Sequence, residues 1–231
     1  MFYGFDIYYV ILVLPAILLS LWAQARVSST FKKYQKQISQ RRMTGYDAAR
    51  RILDSNGLSH IKIEHIQGNL TDHYDPRANI IRLSDGVYNS QSIAAMGVAA
   101  HEAGHAVQHS VGYVPIKLRN TVLPVANIGS HLSIPLAFLG FFLGIESLVS
   151  FGIILFGAVV LFQIVTLPVE FNASSRAVDT LFSSGLIAED EKKGVKKVLG
   201  AAALTYVAAA LTSLMNLLRL ILLFGGRRNN D

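Results

Sequence analysis

Apolar residues in this chain come in long unbroken blocks rather than at helical or strand spacing. Residues 7–25 (IYYVILVLPAILLSLWAQA) hold no charge for 19 positions between Asp6 and Arg26. A second uncharged block runs for 26 positions from Asn120 to Ile145, and a third for 23 positions from Ser147 to Val169, separated only by Glu146. A fourth covers 21 positions from Val198 to Leu218. A bilayer core of about 30 Å needs roughly 20 apolar residues of helix, so each block predicts a membrane span. A chain of 231 residues has too little polar surface to cover four such helices in water. The pattern therefore predicts spans over 7–25, 121–145, 147–169 and 198–224, with polar segments at 26–120 and 170–197.

The longer polar segment has periodicities of its own. Residues 27–42 are basic and read as a helical continuation or a surface segment. Thr44 then precedes GYDAARRILDSNG, where Ala48, Ala49, Ile52 and Leu53 share one helical face and Gly57 supplies the stop. IKIEHI (61–66) alternates apolar with polar, NIIRLS (79–84) does so in part, and the turn residues between them predict a small β-hairpin or two-stranded edge. Such a hairpin offers a free edge for an extended peptide, or is simply structural. Ser90 or Ser92 can cap the next helix, which runs through SIAAMGVAAHEAGHAVQH.

Composition agrees with the blocks: 52% of residues are hydrophobic, 16% are charged, and mean hydropathy is +0.39. Charge sets an orientation. Arg26, Lys32, Lys33, Lys36, Arg41 and Arg42 all follow the first block, which lacks a basic leader. The Ala23-Gln24-Ala25 triplet resembles a cleavage site, but the flanks read as an uncleaved span with its downstream end cytoplasmic. Alternation then places 26–120 and 170–197 in the cytoplasm. The second and third spans form a hairpin with a short outer turn at 144–147, and the GGRRNND tail falls outside. The net charge of +6 suits loops beside an anionic leaflet, so membrane lipid is an expected partner. No basic patch interleaves with aromatics, which argues against nucleic acid. Zero cysteines exclude disulfides and thiolate metal ligands. Gly140 and Gly144 form a G-x-x-x-G best used for packing spans two and three. His131 lies within span two, either as an intramembrane polar residue near the site or, as the favoured reading, hydrogen-bonded to a neighbouring helix. Nothing in the sequence specifies an oligomeric state.

The chemistry concentrates in GVAAHEAGHAVQHS, residues 97–110. His101-Glu102-Ala103-Gly104-His105 fits H-E-x-x-H: on a helix the two histidines share a face and can converge on one ion, while Glu102 stands beside it as a general base. Two imidazoles are too few for a catalytic zinc, which takes three protein ligands and leaves one position open. His109 continues the series but lies about 12 Å along the axis from His101, so it reads as support or polar surface. Glu170, in LPVEFNASSRAVD, is the other candidate: a charge at the end of an apolar span invites a functional reading, and the span hairpin returns it to the side of residues 101–105. Arg176 is suited either to stabilising an oxyanion or to pairing with lipid phosphate. Tyr113 is a candidate for the tetrahedral intermediate or an interfacial tyrosine.

HEAGHAVQH, preceded by LTDHYDPRANIIRLSDGVYNS and followed by PVEFNASSRA, resembles the YugP-like family of neutral zinc metallopeptidases over nearly the whole chain. The layout is more distantly similar to membrane heat-shock and CAAX-prenyl-protease type zinc peptidases, in which the third ligand belongs to E-x-x-A-D. The resemblance implies His101, His105 and Glu170 as ligands of one zinc ion per chain, a gluzincin-like set, with Glu102 as base. Here Ser174 stands where the distant pattern has aspartate. The carboxylate that usually orients a ligand histidine is then missing, and Asp179 or Asn172 are the candidate substitutes.

The expected protein is mainly α: a multi-pass helical membrane protein with a small cytoplasmic α+β zincin-like portion, hydrolysing a peptide or membrane-protein substrate. HEAGHA also occurs in ATP-dependent membrane proteases, but no G-x-x-x-x-G-K-[ST] is present here, so no nucleotide is expected. A non-catalytic scaffold or chaperone-like protein with a structural or degenerate zinc site is the alternative, and the intact Glu102 argues against it.

Overall fold

The computed structural model describes residues 6–224; the expectation for the GGRRNND tail lies outside them. The described chain is mainly helical. A π-helical turn, Tyr9–Val13, leads into α1 (Leu14–Gln35), followed by α2 (Gly45–Ser55), three short strands, α3 (Ile93–Ser110), α4 (Val114–Leu143), α5 (Glu146–Ser183) and α6 (Glu189–Phe224). Four of these helices, starting at Tyr9, Val114, Glu146 and Glu189, are long and apolar enough to cross a membrane. Each outruns the apolar block that predicted it. In α5 the one proline between Glu146 and Ser183 is Pro168, which removes one amide without ending the helix. Glu170 therefore sits inside a continuous helix instead of in a loop after one.

The chain divides into two compact units. One gathers the described residues of 6–24, 115–168 and 205–224. Within it α4 and α5 pack back to back through small residues. A Cβ on Gly129 would stand 2.7 Å from the Leu155 carbonyl oxygen, and one on Gly140 would stand 2.7 Å from the Val149 nitrogen. Gly140 thus serves packing within the chain, and Gly144 (φ +69°) makes the turn between the helices. Arg219, buried on α6, donates two hydrogen bonds to Asp6 Oδ2, at 2.9 and 2.6 Å. His131 is exposed on α4 and, among the described residues, makes no hydrogen bond to a neighbouring helix.

The second unit comprises residues 25–114 and 169–204. Its core gathers Leu53, Ile81, Leu83, Met96, Ala99, Ala103 and Leu181, all fully buried, around α3. A capping box starts α2, in which the Thr44 side chain accepts from the Asp47 amide and Asp47 accepts from the Thr44 amide. Ser92 caps α3, accepting from the Ala95 amide at 3.1 Å. The expected hairpin of 61–66 with 79–84 is corrected. Strands β1 (Lys62–His65) and β3 (Ile80–Leu83) are parallel neighbours, and β2 (His73–Asp75) pairs antiparallel with β3, giving the order β1-β3-β2. Three residues are too few to show a period-two pattern, so β2 is silent in the sequence. The Asp75-Pro76 turn reverses β2 into β3, and that reversal is what makes β3 run parallel to β1.

Candidate metal centre

Small residues let α3 lie close to its neighbours. Gly97 faces Val195, and a Cβ at Gly104 would stand 3.0 Å from the Ala173 carbonyl oxygen. That approach brings the H-E-x-x-H face of α3 against the α5 turn that carries Glu170. Gly104→Val should force the two helices apart, costing about 1–3 kcal/mol by overpacking and lowering metal content. A denaturation series alongside metal analysis checks both, and an unchanged transition midpoint would refute the close contact.

At this contact His101 Nε2 and His105 Nε2 lie 3.1 Å apart. Glu170 Oε2 is 3.2 Å from the first and 3.5 Å from the second. The side chains are 12%, 12% and 4% exposed. The described residues contain one such group of three potential metal ligands, all within 4.8 Å of one another. Two ligand atoms on a tetrahedral zinc, each about 2.0–2.1 Å from the ion, stand about 3.3 Å apart. The observed triangle has those edges, so nitrogen, nitrogen and carboxylate oxygen are already spaced for a single ion. The donor set is one that zinc accepts.

Burial favours the neutral form of His105. The hydrogen bond to Glu170, and then the charges of Glu102 and Glu170, outweigh it and hold this imidazole above the ordinary histidine range. A metal entering the site would displace that proton. Glu102 is buried at 8% exposed and, among the described residues, makes no hydrogen bond. A carboxylate beside the ligand cluster, engaged in no hydrogen bond, is suited to proton transfer.

The other sequence candidates separate cleanly. Ser174, one turn beyond Glu170, places Oγ 3.2 Å from His101 Nδ1. Asp179 is exposed and accepts from Ser175 Oγ at 3.3 Å; it does not join the cluster. Asn172 accepts from Arg176 Nε at 2.8 Å. That bond gives Arg176 a partner that neither the oxyanion nor the lipid reading anticipated. His109 stacks edge-on against Tyr74 of β2, with ring centroids 5.6 Å apart, and is not among the grouped ligands. Tyr113 is half-buried, its amide closing the end of α3 onto the Gln108 carbonyl at 3.0 Å. Sequence reading missed Gln108. This residue is fully buried and holds His105 Nδ1 at 3.0 Å from its Oε1. Its signal was available, because it lies three residues after His105 on the same helical face.

Helix α3 and the α5 turn at Glu170 thus bring together a buried donor set that could hold a metal ion. The comparisons agree. Residues 9–225 match the family described as "Putative neutral zinc metallopeptidase", and the chain belongs to that family. It is 51% identical over 224 residues to the "Putative membrane protease YugP" of Bacillus subtilis (strain 168), covering 96% of this chain and 99% of that one. No solved structure matches significantly.

Proposed function

We propose that the protein is an integral-membrane, zinc-dependent endopeptidase in which His101, His105 and Glu170 hold one zinc ion per chain and Glu102 is the general base. The observation that carries this reading is the triangle of ligand atoms with edges of 3.1, 3.2 and 3.5 Å. An ion held there supplies Lewis acidity, polarising a scissile carbonyl and bringing the pKa of water to about 7. Glu102 accepts the proton of the attacking water and returns it to the departing amine. Ser174 steadies the His101 ring through Nδ1.

Placement in the chain supports membrane or membrane-proximal substrates, since Glu170 follows directly on the apolar stretch 147–169. The basic residues of 26–42 and 192–197 support a site on the cytoplasmic face of the cell membrane. Chelation tests the reading. Dialysis of the purified protein against a zinc chelator should abolish cleavage of an unfolded protein substrate, and added zinc should restore it. Cleavage that survives complete metal removal would defeat the proposal.

A further inference from the structure

Behind the ligand cluster runs a chain of hydrogen bonds whose polarity can be read from one end. Arg176 Nε can only donate, so the Asn172 atom it meets at 2.8 Å is the carbonyl oxygen. That oxygen also lies 3.0 Å from one terminal atom of the Gln108 side chain, which must therefore be the amide nitrogen. The same nitrogen donates to the Val169 carbonyl at 2.8 Å, a group that can only accept. Both amide hydrogens are then used and the orientation of the amide is fixed. The remaining atom, Gln108 Oε1, can only accept, and it stands 3.0 Å from His105 Nδ1. His105 therefore carries a proton on Nδ1. In the neutral ring this leaves the lone pair on Nε2, the atom that faces His101 and Glu170.

We infer that Gln108 is a positioning residue for the metal centre: polarised by Arg176 through Asn172, it holds His105 in the one neutral tautomer that presents Nε2 to the ion, and it ties α3 to the helix that supplies Glu170. The inference rests on the zinc peptidase reading. Gln108 is buried to zero exposure, and these hydrogen bonds offset the desolvation of its amide. Arg176 acts at two removes from the metal, by fixing which way Asn172 points.

Zinc affinity of the full chain in detergent, measured by chelator competition, tests this without any peptidase assay. Gln108→Met keeps the length of the side chain and removes its hydrogen bonds. Its dissociation constant for zinc should rise about 10–100-fold, the usual cost of losing a partner that orients a ligand. Asn172→Leu should weaken zinc in the same direction. Asn172→Asp keeps an acceptor for both donors and should weaken zinc less than Asn172→Leu does. A purely structural Gln108 would lower the melting temperature of the ion-free protein and leave zinc affinity alone, and that result overturns the inference. Equal zinc affinity in Asn172→Leu and wild type overturns it as well, and decides the matter if Gln108→Met does not fold. A wild-type chain with no affinity for zinc would instead overturn the peptidase reading on which the inference rests.

Discussion

Glu102→Gln is expected to remove peptide hydrolysis while leaving the metal in place. The carboxylate lies next to a ligand histidine in the chain but is not one of the three grouped ligand atoms, so the amide subtracts only proton transfer. General acid–base catalysis contributes about 10²–10⁴ in rate, and the variant should lose that much turnover. Glutamine is nearly isosteric and the site offers Glu102 no hydrogen bond to lose, so folding should be untouched. Turnover on an unfolded protein substrate, measured beside zinc content, separates the possibilities. Full zinc with lost turnover supports the catalytic assignment. Full zinc with wild-type turnover would remove Glu102 from the general-base role, and full zinc with no turnover in either protein would return the scaffold reading to contention.

The second large effect is expected at Glu170. Glu170→Ala removes the single ligand that α5 provides and leaves two imidazoles one helical turn apart. Two ligands do not make a zinc site of this type. The loss of affinity should exceed the about 10–100-fold that follows from losing a partner behind a ligand. The wild type should carry one zinc per chain after purification, and the variant little or none. Zinc retained by the alanine variant would break the link between the two distant segments. Glu170→Gln gives a finer comparison, since it keeps the shape and removes the charge.

Much of this arrangement was legible in the chain because its signals are long or chemically rare. Four apolar blocks announce four long helices through length alone, and His101, Glu102 and His105 declare themselves by spacing. Glu170 was reachable because a carboxylate at the margin of an apolar block is conspicuous. The illegible parts depend on proximity in space. Strand β2 is three residues long and has no period of its own, so the parallel pairing of β1 with β3 stayed hidden. Ser174 drew attention only as the absence of an aspartate, because a hydroxyl 3.2 Å from an imidazole nitrogen leaves no trace in composition. Gln108 was passed over in favour of His109, its more reactive neighbour, since polarity on a helix says nothing about burial. Extending the histidine series by four residues leads to His109; a step of three leads to the residue that touches His105.

The proposed ligands come from two segments, with His101 and Glu170 69 residues apart, and this bears on when the site can exist. A ribosome that has completed residues 101–105 has not yet made Glu170, and the hydrophobic hairpin encoded between them must still be synthesised. During that interval the nascent chain holds only two of its three metal ligands. On the proposed reading, proteolytic competence would be a late event in biogenesis, tied to insertion of the third span, and an unfinished or mis-inserted chain would be unable to attack its neighbours.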